Sequence, residues 1–326
     1  MMLENSKILV IGGAGFIGSY VVKELLKENI SEVVIYDNFA RGQKEYLKDS
    51  LKDIRCSIFP VGGDIREIDI LNKAMEGMDY VICLAAMWLL HCKDYPRTAF
   101  DVNIAGTFNV FEACVKNNIK KLIWSSSASV YGDAIELPMT ENHPFNNKNF
   151  YGASKIAGEA MSTAFNDRYG LSIIGLRYMN VYGPHQDQTA AYTGVVPIML
   201  NKIEANESPI INGDGSQAYD FIYVEDVARC NIKALKSNVE HGFYNVGTEI
   251  QTSIKNLCDK ILELKHSRLK VKYNPYSIDD ARALVQNRIG SRKKAEKELG
   301  FTFKFSLEDG LKELIKWRVK TGIDKQ

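Results

Sequence analysis

Tyr151-Gly152-Ala153-Ser154-Lys155 sets a phenol and an ammonium four residues apart. On a helix that spacing puts both side chains on one face. A lysine cation close to a tyrosine favours the phenolate, and a phenolate is a base for the proton of an alcohol. Taken alone, the pattern is common on amphipathic helices. It gains meaning from Trp124-Ser125-Ser126-Ser127-Ala128-Ser129-Val130-Tyr131-Gly132 upstream, where a strand ends in hydroxyls. Those hydroxyls emerge at the carboxyl edge of a sheet, where ligands bind in open α/β folds, and Ser127 is the candidate partner of Tyr151. The same serines also suit a turn.

A second pattern supplies a companion reactant. Gly12-Gly13-Ala14-Gly15-Phe16-Ile17-Gly18 follows a strand and opens a helix, with Gly12, Gly15 and Gly18 at three-residue spacing. A tight turn, a backbone that can touch pyrophosphate and a helix N-terminus aimed at its charge make a dinucleotide fingerprint. Asp37 closes the next strand about 20 residues on, where a carboxylate accepts from the ribose hydroxyls and repels a 2′-phosphate. That favours NAD over NADP, although Arg41 and Lys44 nearby leave NADP open. Asp64, in Gly63-Asp64-Ile65-Arg66, reads either as a helix cap or as an acceptor for the adenine amino group, and the second is favoured. With an oxidised nicotinamide ring alongside, its positive charge adds to that of Lys155 in favouring the phenolate of Tyr151.

These groups need a frame that holds them. Strands at Lys7 to Ile11, Glu32 to Tyr36, Tyr80 to Leu84, Lys121 to Trp124 and Ser172 to Leu176 alternate with helices. The helices are expected at Gly18 to Asn29, Asp69 to Met75, Ala99 to Asn117 and Phe150 to Tyr169. Continuous apolar strands between amphipathic helices predict an α/β fold, a doubly wound parallel (Rossmann) sheet covered on both faces. After about Asn180 loops lengthen, with Gly183-Pro184 and Gly213-Asp214-Gly215 as turn signals. The expectation is a NAD-binding domain over 1–180, with segments returning from about 220–250, and a smaller mixed α/β substrate lobe over 181–326. That lobe should carry helices at Val195 to Asn206, Val224 to Leu235, Ser253 to Leu264, Ser291 to Leu299 and Leu307 to Trp317. Ser253 and Ser306 read as helix N-caps.

The 326 residues carry 41 Lys+Arg against 40 Asp+Glu, a net charge of +1. That balance is not the basic surface of a general nucleic-acid binder. Apolar runs such as Ile8 to Ile11 fall short of the roughly 20 residues that cross a bilayer, so no membrane partner is expected. No signal peptide is evident at the N-terminus. Six scattered cysteines without a C-x-x-C pair, and histidines without ligand spacing, indicate buried thiols in a reducing cytoplasm and no metal.

Together these motifs resemble the extended short-chain dehydrogenase/reductase family, in its nucleotide-sugar epimerase/dehydratase group, most closely the UDP-galactose 4-epimerase type. Further marks are Leu84-Ala85-Ala86, Asp101-Val102-Asn103, Leu176 to Asn180, Asn180-Val181-Tyr182-Gly183-Pro184 and Asp220 to Asp226. The resemblance covers almost the whole chain. It implies Ser127 as catalytic serine, Tyr151 as base and Lys155 as the lysine that also anchors the cofactor. It implies a cofactor surround of Gly12, Gly15, Phe16, Ile17, Asp37, Asn38, Asp64, Ile65, Leu84, Ala85, Ala86, Asn103 and Tyr178. Asn180 resembles a substrate-contacting asparagine. The implied reaction is oxidation of a sugar C4 hydroxyl by bound NAD+, rotation of the 4-keto sugar and reduction on its opposite face. The implied substrate is a UDP-sugar. A homodimer is implied through the helices Ala99 to Asn117 and Tyr151 to Tyr169.

Two departures shape the reading. Dehydratases of this group need an extra acid and base after the strand, and Ser127-Ala128-Ser129 offers alanine there, which transfers no proton. Dehydratases, though disfavoured by that alanine, decarboxylases and reductases of the group remain the alternative enzymes, as does a cofactor-sensing protein without turnover, although both Tyr151 and Lys155 are present. In Gln217-Ala218-Tyr219-Asp220-Phe221 a tyrosine replaces the arginine with which the family clamps the diphosphate. Tyr219, Arg282 and Arg288 are therefore the candidates for holding it. Trp88-Leu89-Leu90-His91-Cys92 is unusually bulky where substrate approaches, and His91 reads as a substrate contact or as a structural residue.

Overall fold

The computed structural model describes residues 3–187, 194–275 and 285–323. Its first strands are β1 (Lys7–Ile11), β2 (Glu32–Tyr36), β3 (Cys56–Ile58), β4 (Tyr80–Cys83), β5 (Lys121–Ser127) and β6 (Ile173–Tyr178). Continuous apolar runs such as Ile8 to Ile11 and Tyr80 to Cys83 are buried along their whole length, as strands covered on both faces must be. The later strands are mostly shorter: β7 (Asn180–Tyr182), β8 (Ile210–Asn212), β9 (Ala218–Tyr223), β10 (His241–Val246), β11 (Gln251–Ser253), β12 (Lys272–Asn274) and β13 (Asn287–Arg288).

The main sheet runs β10-β6-β5-β4-β1-β2-β3, and every pairing in it is parallel. Helices on both faces bury it, and one apolar cluster lies on each side. The order reverses between β1 and β4, so the chain leaves those two strands in opposite directions and opens a crevice above their carboxyl ends. Gly12 and Leu84, the first residues after β1 and β4, stand at that crevice.

The helices are α1 (Phe16–Leu25), α2 (Ile68–Met75), α3 (Leu89–Asp94), α4 (Pro96–Phe100), α5 (Thr107–Lys116), α6 (Phe150–Tyr169), α7 (Val195–Glu204), α8 (Val224–Lys236) and α9 (Ile254–Leu264), followed by Lys293–Leu299 and Leu307–Thr321. Ser253 and Ser306 cap their helices through side chains that accept from Asn256 N–H and Asp309 N–H. Downstream of β6 the chain does not simply leave: α8 packs against α1, and β10 joins the sheet edge beside β6. A second sheet, β11-β9-β13 with β7 on β9, and the pair β12-β8 form the smaller part.

Among the elements that differ from expectation, two bear on the site. The helix expected over Ala99 to Asn117 is three pieces: α4, a π-helical turn at Asp101–Gly106, and α5. The wide turn lets Asn103 leave the regular ladder, and its side chain accepts from Met87 N–H at 2.7 Å and donates to Met87 O at 2.9 Å. The strand expected to stop at Trp124 runs on to Ser127. Polar residues continue it because each finds a buried partner: Ser126 Oγ donates to Glu159 Oε1 at 2.6 Å, and Ser125 O accepts from Lys155 Nζ at 2.6 Å. Among the described residues no helix is long and apolar enough to cross a membrane.

Candidate active site

A cleft of about 610 Å³ opens at the strand-order reversal. Gly12, Gly15, Phe16, Ile17, Asp37, Asn38, Asp64, Ile65, Leu84, Ala85 and Ala86 all line it, although they come from four separate segments. The glycine loop is required by contact as well as by dihedral angle. Gly12 has φ +77°, and a Cβ there would stand 2.8 Å from Ala85 N, so only glycine lets the β1 and β4 loops meet. Asp37 is buried; its Oδ2 accepts from Ala14 N–H and its Oδ1 from Phe39 N–H. Burial raises its carboxyl above the ordinary value against those two bonds. Each oxygen keeps a lone pair for a ribose hydroxyl.

Asp64 is not a helix cap. Its carboxylate forms an ion pair with Arg66 at 2.6 Å, which holds the carboxyl below its usual range, and the residue at the α2 N-cap is Glu67. Arg41 also lines the cleft, but its charge is met by Asp187 at 3.3 Å and its guanidinium lies 4.6 Å from the Trp88 ring. This strap across the cleft mouth, from the loop after β2 to the loop after β7, gave no signal in the sequence.

Tyr151 and Lys155 start α6, whose N-cap Asn149 accepts from Gly152 N–H at 2.8 Å. Gly152 has a packing role that sequence reasoning missed. A Cβ there would lie 2.4 Å from Ser129 O, so its lack of a side chain lets the helix start press against the loop after β5. That contact brings Tyr151 near Ser127, whose hydroxyl favours the phenolate. Ser127 Oγ also accepts from Ser129 N–H at 3.1 Å, which aims the hydroxyl.

Lys155 is buried, with Nζ 5.7 Å from the Tyr151 ring centre and 4.9 Å from that of Trp124. Burial pushes its amine down to about 8 and the Tyr151 phenol up to about 12. The expected lowering of the phenol is therefore not supplied by the protein's own groups. The Ser127 hydroxyl and the charge of Arg288 oppose the rise, and burial outweighs them.

The other candidates are placed as follows. Asn103 and Tyr178 stand behind the cleft wall: Asn103 binds Met87 and Ser154, and the Tyr178 hydroxyl donates to Asn231 Oδ1 at 2.9 Å. Asn180 begins β7 opposite Phe221. Tyr219 donates its hydroxyl to Val285 O at 2.8 Å and pairs in register with Arg288. Arg282 lies outside the described residues. His91 lines the cleft and meets Trp88 edge-on at 5.4 Å. Among the described residues, no group of three His, Cys, Asp or Glu side chains is arranged to hold a metal.

A parallel doubly wound sheet, a dinucleotide crevice at its reversal point and a serine–tyrosine–lysine set beside it define an enzyme that moves hydride and proton at an alcohol. The profile of the NAD dependent epimerase/dehydratase family matches residues 8–247, and the chain belongs to that family. A putative UDP-glucose 4-epimerase of Methanocaldococcus jannaschii is 37% identical over 314 residues, covering 95% of this chain and 97% of that one. Among solved structures, a UDP-N-acetylglucosamine 4-epimerase from Methanobrevibacter ruminantium M1, in complex with UDP-N-acetylmuramic acid, superposes with a TM-score of 0.90 at 32% identity. That match covers 98% of this chain and 99% of that chain. The Thermus thermophilus UDP-glucose 4-epimerase complex with NAD gives 0.83 at 28% identity, over 95% and 98% of the two chains. The cofactor of this enzyme is NAD, and the cleft geometry fits it: a carboxylate at the ribose end and glycine backbone where pyrophosphate lies.

Proposed function

We propose that this enzyme is a nucleotide-sugar 4-epimerase acting on a UDP-sugar. The observation that carries the reading is the pair on α6, Tyr151 with the buried Lys155 Nζ 5.7 Å from its ring centre, near Ser127 at the end of β5. Bound NAD+ supplies the acceptor and donor of the C4 hydride, and a positive ring. Tyr151 takes the C4 hydroxyl proton and later returns it. Ser127, with one donor hydrogen, bonds either the phenolate or the oxygen of the 4-keto sugar. Lys155 holds its charge beneath Tyr151 and offers Nζ to the nicotinamide ribose. Asp37 selects the ribose that lacks a 2′-phosphate. Ala128 beside Ser127 has no proton to give, which speaks against elimination of water as a further step.

Purified enzyme incubated with UDP-glucose, UDP-N-acetylglucosamine and UDP-glucuronate, followed by proton NMR, tests the proposal. The expected product is the C4 epimer at equilibrium, with no NADH released. Release of water or carbon dioxide from the sugar would overturn it. The working form is a homodimer joined through α5 and α6, whose Phe108 and Tyr169 side chains are exposed. Six buried, unpaired cysteine thiols suit a reducing compartment, and the enzyme is assigned to the cytoplasm.

A further inference from the structure

Lys155 carries the charge that the reaction uses, and its surroundings offer that charge no anion. The residue is 2% exposed. Among the described residues its Nζ has a single hydrogen-bond acceptor, Ser125 O at 2.6 Å, and no ion-pair partner. The titratable groups that face it from the packed elements do not fill the gap. The thiols of Cys83 on β4 and Cys92 on α3 are raised by burial and stay neutral. Glu159, one turn further along α6, is committed elsewhere: it accepts from Ser126 Oγ and from Nε and Nη2 of Arg177. Tyr151, one turn back, keeps its proton at rest. A buried ammonium without a counter-charge is costly.

An aromatic face takes the place of the anion. Lys155 Nζ lies over the Trp124 ring, 4.9 Å from its centre, and indole is the ring that attracts a cation most strongly at such a distance. The indole is held in place from two sides. Phe111 of α5 meets it edge-on at 6.0 Å, and α6 presses on it at Gly158. A Cβ on Gly158 would stand 2.4 Å from the Trp124 Cζ2 and Cη2 atoms. Glycine inside a helix is unfavourable relative to alanine, and this contact is what requires it here. The helix carrying Tyr151 and Lys155 is thereby seated on the ring.

Trp124 is not among the residues that line the cleft, so its effect on the reaction must pass through Lys155. We propose that Trp124 is a positioning residue, whose indole face holds the Lys155 ammonium charged and in place beneath Tyr151. This rests on the epimerase reading above and adds a residue to its working set. The consequence is a pH effect of definite sign. Attraction to the ring favours the charged amine, so weakening the ring lowers the pH at which Lys155 discharges. With that amine at about 8, the alkaline fall of turnover should move to lower pH.

The test measures kcat for C4 epimerisation of a UDP-sugar across pH, using holoenzyme with tryptophan, monofluorotryptophan or difluorotryptophan in place of Trp124 by nonsense suppression. Fluorine withdraws charge from the ring face and hardly alters its size, so the fold is kept. The alkaline limb should move down stepwise with fluorination, while KM and NAD content stay as in the wild type. Trp124→Leu, which deletes the face, should move the limb by about one pH unit, and Trp124→Phe by less. A limb that stays in place through the fluorinated series overturns the inference, because a ring that only fills space would behave that way. So does a Trp124→Leu enzyme whose kcat falls equally at every pH, or one that changes only in KM. If Trp124→Leu does not fold, the fluorinated series decides alone. An unmoved limb in active enzyme rejects the role of Trp124 and leaves the epimerase reading standing. Wild-type enzyme that forms no C4 epimer sinks that reading, and this inference with it.

Discussion

At the scale of single residues, the chemistry turns on how a buried phenol loses its proton. Burial holds Tyr151 at about 12, so the phenolate needs every nearby positive charge. The base form grows with pH, and turnover should therefore rise with pH up to about 8, where Lys155 begins to lose the charge that favours the phenolate. Tyr151→Phe removes the proton acceptor and keeps the ring. Its turnover should fall by about 10²–10⁴-fold, the usual share of a general base, while NAD stays bound. Stopped-flow epimerisation together with cofactor content by absorbance measures both. Loss of cofactor along with activity would instead give the hydroxyl a structural role. The type and spacing of Tyr151 and Lys155 were legible in the sequence. Gly152 was not, because its role is the room it leaves for Ser129 O, which belongs to a different element.

At the scale of elements, α6 is registered on the sheet by a buried polar cluster. Arg177 on β6 donates to Glu159 through Nε at 2.8 Å and Nη2 at 2.7 Å, and to the Tyr131 hydroxyl at 2.7 Å. Glu159 also accepts from Ser126 on β5. This pair ties the helix carrying Tyr151 to the strand carrying Ser127. Glu159→Leu would leave the guanidinium buried and uncompensated, at a cost of about 3–5 kcal/mol. Chemical denaturation measures that loss, and a value under about 1 kcal/mol would show that the helix is held by its apolar contacts instead. The π turn at Asp101–Gly106 was equally hidden from sequence reading. Its cause is the pair of bonds between Asn103 and Met87, a contact between separate segments that no helical periodicity encodes.

At the scale of the whole molecule, His185 gathers three separate parts of the chain. Its Nδ1 lies 2.9 Å from Ser19 Oγ of α1, its ring stacks on Tyr46 at 4.2 Å, and Trp317 of the last helix meets it at 5.7 Å. Burial, aided by Lys23, lowers the imidazole from 6.5 to about 4. The unfolded chain thus binds a proton between those values while the native state does not. Stability from this group is complete above pH 6.5 and is lost as pH falls towards 4, by up to about 3 kcal/mol. Denaturation midpoints at about pH 7 and about pH 4.5 should converge in His185→Asn relative to wild type; an unchanged gap rejects the assignment. Assembly is tested at the same scale. Phe108 is 42% exposed on α5 and packs against Phe165 of α6 at 5.2 Å. A charge there would be desolvated in the proposed dimer, so the wild type is expected to sediment as a dimer and Phe108→Glu as a monomer.

Local signals settled a good deal in the sequence alone. Periodicity and turn residues marked the parallel sheet, and Phe150–Tyr169 begins and ends where the pattern predicts. The glycine loop, Asp37 and the Tyr151–Lys155 spacing were visible because each is contained within a few residues of one strand or helix. What crosses the chain was decided only by folding: β10 returning to the sheet edge, Arg41 reaching Asp187, and Arg288 pairing in register with Tyr219. Burial, register and charge pairing are properties of contacts between distant segments, and such contacts exist only once the chain has closed on itself.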